Sequence, residues 1–150
     1  MIVYRIANSK HASDLGGTGA ALYPGRWNKM GSAVLYTGVN KEIALLEIIV
    51  HVPPLFYPEL DILTLQIPDD SISEFRTYDL PKNWFPFPAP TILSEMGQAW
   101  IEGGETVALK VPSSILRSSS NIILNCRHPR YGEVEKLEHI KFDFDPRLIK

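Results

Sequence analysis

Residues 33–51 read AVLYTGVNKEIALLEIIVH, and the two halves of that stretch obey different rules. AVLYT is aliphatic, β-branched and aromatic, the composition of a short buried strand. Asn40 stands where a helix would begin, because its side-chain oxygen can accept from the free N–H groups of a first turn. A helix is predicted from there through His51, with Pro53 and Pro54 ending it. One strand feeding one helix leaves the question of what the rest of the chain supplies.

Working outward, residues 1–7 (MIVYRIA) are again strand formers. Residues 60–67 (LDILTLQI) set Leu63, Leu65 and Ile67 against Thr64 and Gln66, the period-two pattern of a half-buried strand. Residues 105–111 alternate Val107, Leu109 and Val111 toward a core. Ile140, Phe142 and Phe144 repeat the alternation near the end. A second helix is predicted over 91–101, with Leu93, Met96 and Trp100 on one side and Gly103-Gly104 stopping it. Residues 11–24 carry Gly16, Gly17 and Gly19 and read as a long loop. Residues 79–90 hold four prolines with Trp84, Phe85 and Phe87, a rigid extended connection. Strands and helices do not alternate regularly, so the expected fold is α+β, one domain over residues 1–150. Its core should be a mixed or antiparallel sheet with flanking helices.

Composition narrows the function. The chain has 150 residues, 45% hydrophobic and 21% charged, which is globular composition. Fifteen Lys and Arg against seventeen Asp and Glu give a net charge of −2, with no basic cluster to neutralise a phosphate backbone, so direct nucleic-acid binding is not expected. Cys126, the one cysteine, excludes an internal disulfide and a cysteine-rich zinc site. No basic-then-apolar leader opens the sequence, and the longest apolar run, residues 43–50, is too short to span a bilayer. The expectation is a soluble, cytoplasmic protein without membrane attachment.

Glu47 interrupts that apolar run. A carboxylate among such residues must neutralise itself or find a partner, so it faces a cavity, a cation or a structural ion pair. Arg26, in Gly25-Arg26-Trp27-Asn28, follows the glycine-bearing loop and suits a bidentate grip on phosphate or carboxylate, or else packs on Trp27. Tyr36 is either core or a ring face for stacking. Arg5, among Val3, Tyr4 and Ile6, is either an outward edge residue or a second cation converging on the same cleft. Ser113 follows a strand end without a Gly-x-Ser-x-Gly elbow, so it reads as a hydrogen-bonding serine rather than a nucleophile. Cys126 and His128 are poorly spaced for a thiol pair, and His11, His51, His128 and His139 show no metal-binding spacing. No Walker-type or dinucleotide glycine loop is present.

In order and spacing these residues resemble the RES-domain family. The likeness runs from Tyr4-Arg5-Ile6 through Gly25-Arg26-Trp27-Asn28, Val34-Leu35-Tyr36-Thr37 and Ala44-Leu45-Leu46-Glu47. It continues through Leu80-Pro81, Trp84, Gly97, Trp100 and Val111-Pro112-Ser113 to the segment from Asn121 to Pro129. Cys126 departs from it, standing where a proline is expected. The resemblance implies an ADP-ribosyltransferase-like fold and the toxin of a bacterial toxin–antitoxin pair. It implies depletion of NAD+ by hydrolysis or phosphorolysis of the nicotinamide–ribose bond, or in some members transfer of ADP-ribose to a protein. NAD+ would be substrate, with no prosthetic group and no metal. Carried over by motif, Arg5 and Arg26 hold the charged part of the dinucleotide and Tyr36 lies beside nicotinamide or ribose. Glu47 is the catalytic carboxylate, Ser113 positions ribose or phosphate, and Asn125 and His128 belong to the cofactor-binding segment. The resemblance also implies an Xre-like helix-turn-helix antitoxin as partner and self-association within that complex. The competing reading from a different class is a non-catalytic module that docks a protein through residues 79–90.

Overall fold

The structure, a computed structural model, describes residues 1–51 and 59–148. Seven strands form one sheet: β1 (Ile2–Asn8), β2 (Val34–Gly38), β3 (Leu60–Gln66), β4 (Ile72–Glu74), β5 (Ala108–Pro112), β6 (Ser120–Asn125) and β7 (Glu135–Phe142). Among the described residues three α-helices accompany it: α1 (Thr18–Leu22), α2 (Lys41–His51) and α3 (Thr91–Gly103). The sheet order is β4-β5-β6-β2-β1-β3-β7. Every pairing is antiparallel except β4 with β5. The α+β expectation holds, with a mixed sheet.

The ladders are uneven. β1 runs beside β3 from Ile2↔Gln66 to Asn8↔Leu60, and β2 runs beside β6 from Val34↔Asn125 to Gly38↔Asn121. Between β1 and β2 the register holds a single pair, Tyr4 with Gly38. The sheet is therefore two well-paired ribbons, β7-β3-β1 and β2-β6-β5-β4, joined at a narrow seam.

Alternation assigns the faces. One carries Val3, Leu35, Leu63, Leu65, Ile122 and Leu124, closed by Ala12 and Leu15 from the first loop and by Tyr131 and Val134. The other carries two patches. Val34, Leu109, Val111 and Ile123 lie under Leu93 and Trp100 of α3, with Trp27 and Trp84. Ile6, Leu60 and Ile62 lie under Ala44, Leu45 and Ile48 of α2. On that second face of β3 Leu60 and Ile62 are covered by α2, while Thr64 is part-exposed and Gln66 exposed, as the half-buried reading expects.

Three elements differ from the sequence reading. Part of the glycine loop coils into α1 after Gly17, whose φ of 74° is left-handed. A Cβ there would stand 2.7 Å from the Val34 nitrogen, so the loop can lie against β2 only with glycine at that position. Residues 120–125, read only as a motif, form β6, an inner strand of the sheet. Ile72–Glu74 form the edge strand β4. α3 starts at Thr91 and ends at a left-handed Gly104, as expected. Asn40 caps α2, its Oδ1 accepting from the Ile43 N–H at 2.8 Å. The expected stop at Pro53 and Pro54 lies outside the described residues. No helix among the described residues is long and apolar enough to cross a membrane.

Candidate active site

α2 comes down onto the sheet where there is least side chain to hold it away. A Cβ on Gly38 would lie 2.4 Å from Ile43 Cγ2 and 3.1 Å from the Ala44 nitrogen, so glycine permits the close approach. Ile43 and Ala44 are buried. Glu47 follows them by four and three residues and so points from the same side of the helix. The rest of α2 is less enclosed than its apolar sequence suggests: Val50 is 56% exposed, because only one side of the helix meets the sheet. Glu47 itself is half-buried rather than sealed.

Its carboxylate is held by one oxygen. Asn121 Nδ2, from β6, donates to Glu47 Oε1 at 2.9 Å, and Ser113 Oγ, just past the end of β5, donates to the same oxygen at 3.3 Å. Ser113 is fully buried and accepts in turn from the N–H groups of Ile115 and Leu116, which fixes its hydroxyl. Oε2 accepts nothing among the described residues. The carboxylate is aimed by two neutral donors and keeps one oxygen uncommitted.

Arg26 sits in the loop after α1, and that loop is built around Asn28. The buried Asn28 amide donates to the carbonyls of Ala20, Lys29 and Ser32 and accepts from the Gly25 N–H and the Tyr36 hydroxyl. Tyr36, from β2, also accepts from the Trp27 N–H at 3.1 Å. Its ring lies against Gly25, where any Cβ would stand 2.8 Å from Cζ. α3 crosses the same loop at Gly97, where a Cβ would fall 1.7 Å from the Trp27 carbonyl oxygen. The Gly25-Arg26-Trp27-Asn28 motif is therefore clamped from both sides.

The Arg26 guanidinium reaches the aromatic strap. Nη1 donates to the Trp84 carbonyl at 2.6 Å, and Nη2 donates to those of Phe85 and Pro86 at 3.4 and 3.2 Å. The structural ion pair expected as one option for Glu47 does not form with Arg26: the fork is drawn to carbonyls of 84–86, and no ion pair links the two among the described residues. Their charges still interact. Partial burial lowers the Arg26 guanidinium from its ordinary value, and Glu47 and Tyr36 oppose that shift. Burial raises the Tyr36 phenol well above its usual range, so it stays protonated as a donor. Of the five guanidinium N–H donors, two remain uncommitted among the described residues.

Arg5 lies elsewhere. It shares an alternation with Val3 and Ala7, on the sheet face opposite α2. Nη1 donates to the Tyr36 carbonyl at 3.1 Å across the seam, and Nε is buried without a partner. Desolvation lowers its ordinary value, and the groups that oppose this are Cys126, Tyr131 and Asp14. The expected convergence with Arg26 beside Glu47 finds no contact to carry it, and neither does the outward-facing alternative. Asn125 and His128 are likewise occupied. Asn125 Oδ1 accepts from the Arg127 N–H. His128 is buried, with Nε2 2.9 Å from the Gly104 carbonyl and Nδ1 accepting from the Arg130 N–H. That pairing sets the proton on Nε2 and ties the loop after β6 to the end of α3.

Sequence reasoning thus named Arg26, Tyr36, Glu47 and Ser113, which the structure brings to one face. It passed over Asn28 and Asn121, although both lie in the quoted motifs. No group of three His, Cys, Asp or Glu among the described residues could hold a metal.

The sequence matches the family described as RES domain over residues 2–145. A protein named Toxin Res from Yersinia enterocolitica is 34% identical, covering 99% of each chain. A Sphingobium protein named Prs ADP-ribosylating toxin is 30% identical over 96% of this chain and 92% of its own. In fold, the chain superposes with a TM-score of 0.80 on a chain of the crystal structure of the M. tuberculosis MbcT–MbcA toxin–antitoxin complex. That match covers 99% of this chain and 86% of the other at 15% identity, so it speaks for the fold alone.

Proposed function

The chain belongs to the RES domain family, and from that premise we propose that it is the toxin of a bacterial toxin–antitoxin pair, an enzyme that breaks the nicotinamide–ribose bond of NAD+. The observation that carries this reading is the Glu47 carboxylate, gripped at Oε1 by Asn121 and Ser113 and left open at Oε2 by the described residues, within the field of Arg26. Such a group suits a reaction that develops positive charge on carbon. When the bond to the pyridinium nitrogen breaks, the electron pair leaves with nicotinamide and cancels the ring charge, and the ribose C1′ becomes cationic. A preorganised carboxylate in a partly water-excluded site stabilises that carbon at no reorganisation cost. An oxygen of water or phosphate then bonds C1′, and a water acceptor gives up its proton to Glu47 or to solvent. Arg26, through its free donors, holds the pyrophosphate and turns remote binding into orientation at C1′. Tyr36 sets the wall of the site from β2.

A second reading, transfer of ADP-ribose to a protein, is favoured by the Sphingobium relative and its name. It uses the same bond cleavage with a protein nucleophile as acceptor. A helix-turn-helix antitoxin is the proposed partner, and the solved toxin–antitoxin complex of the same fold supports it. The site of action is the cytoplasm, where NAD+ is held.

The test follows labelled NAD+ over time with purified protein, with and without phosphate and with cell extract. Free ADP-ribose indicates hydrolysis, its 1″-phosphate indicates phosphorolysis, and label on a macromolecule indicates transfer. NAD+ that stays intact under all three conditions contradicts the proposal.

A further inference from the structure

We propose that Asn121 is a positioning residue, the group that sets the direction of the Glu47 carboxylate; this rests on the reading of Glu47 as the catalytic carboxylate. Three observations converge. First, Asn121 stands on β6 opposite Gly38 of β2 and Val111 of β5. Gly38 is where α2 comes closest to the sheet, so the lack of a side chain there lets Glu47 descend to Asn121. Second, the orientation of the amide is dictated. An ionised carboxylate only accepts, so the NH2 end of Asn121 must face Oε1. Third, that choice leaves Asn121 Oδ1 buried without a donor among the described residues. Buried acceptors are nearly always paired, and an asparagine kept only for packing would not leave its oxygen bare. The fold tolerates an unpaired amide oxygen in order to hold one carboxylate oxygen.

Ser113 contributes less to the grip. Its contact with Oε1 is longer, and its oxygen also serves two backbone N–H groups. Among the described residues, the titratable groups that interact with Glu47 are Tyr36 on β2, Arg26 in the loop after α1, and His51 on α2 itself. His51 Nδ1 contacts the Glu47 carbonyl at 2.9 Å. None of these changes when residue 121 is replaced, so a change in Glu47 titration reports on Asn121.

The experiment follows the Glu47 side-chain carboxyl by 13C NMR through pH in wild type, Asn121→Ala and Asn121→Asp. Losing a donor to the charged form raises its titration midpoint, and a second carboxylate raises it further. The expected result is an upward move of about half a pH unit or more in Asn121→Ala and a larger one in Asn121→Asp. In NAD+ turnover, kcat of Asn121→Ala falls about tenfold or more, and the acid limb of the pH profile moves up with the NMR midpoint. Midpoints within about 0.2 of wild type in both folded variants would overturn the inference. If wild type is inert toward NAD+, the functional reading fails, and the NMR midpoints still decide the role of Asn121.

Discussion

Arg26 and Arg5 are both half-buried, and among the described residues both donate only to backbone carbonyls and neither forms an ion pair. Their surroundings differ. Arg26 stands on the α2 side of the sheet, keeps two donors free among the described residues, and interacts electrostatically with Glu47 and Tyr36. Arg5 stands at the seam between two ribbons, holds the Tyr36 carbonyl where the ladder gives out, and sees Cys126, Tyr131 and Asp14. On the proposed function Arg26 is the arginine that meets the ligand, whereas Arg5 bridges a gap in the sheet. The residue type does not distinguish these roles; the partners do.

The comparison breaks most readily at the clamp that positions Arg26. Gly97→Ala drives a Cβ into the Trp27 carbonyl, and both groups are backbone, so no side chain can swing away. Overpacking of that kind costs about 3 kcal/mol or more and should displace the whole Arg26 loop. Urea denaturation should show the loss, and Gly103→Ala, with nothing within 4 Å of its Cβ, is the control that should not.

The arginines then separate stability from activity. Arg5→Ala leaves the Tyr36 carbonyl unpaired and empties packed space, and should cost about 1–3 kcal/mol in a denaturant titration. Arg26→Ala should cost less than about 1 kcal/mol while lowering NAD+ turnover about tenfold or more, read as a ratio of kcat/KM. Equal stability losses in the two variants would erase the distinction between the two regions.

The smallest effect lies far from either arginine, on the β3–β7 pair. Asp61 accepts from Ser9 Oγ at 2.6 Å and stands 2.6 Å from His139 Nε2. Those bonds hold its carboxyl below the ordinary range, the Ser9 hydroxyl contributing most. A group depressed in the folded state stabilises above its unfolded value of about 3.9, and that contribution is lost as pH falls through the folded value. Thermal melts from pH 6 to pH 3 should therefore fall more steeply for wild type than for Asp61→Asn.

Much of this was legible in local pattern. Strand-forming composition marked β1 and β2, the period of two marked β3 and β5, the cap at Asn40 and the glycines after α3 marked helix ends, and the ordered motifs marked Arg26, Tyr36, Glu47 and Ser113. β6 escaped because Asn121 and Asn125 at its ends read as polar motif residues rather than strand. Asn121 escaped for a second reason: its partner Glu47 lies 74 residues earlier, and no local spacing encodes that contact. Asn28 is similar, since its five bonds close a loop whose shape the sequence does not state. The side of the sheet taken by Arg5 was available in principle, because Val3, Arg5 and Ala7 share one alternation. Its immediate neighbours drew attention instead.

The central claim, that the half-buried Glu47 carboxylate carries the cleavage of NAD+, is tested most directly by comparing wild type with Glu47→Gln. The side chain keeps its shape and loses its charge. NAD+ consumption should fall by about 100-fold or more at an unchanged melting temperature. A folded Glu47→Gln protein that consumes NAD+ within about threefold of the wild-type rate would contradict the account.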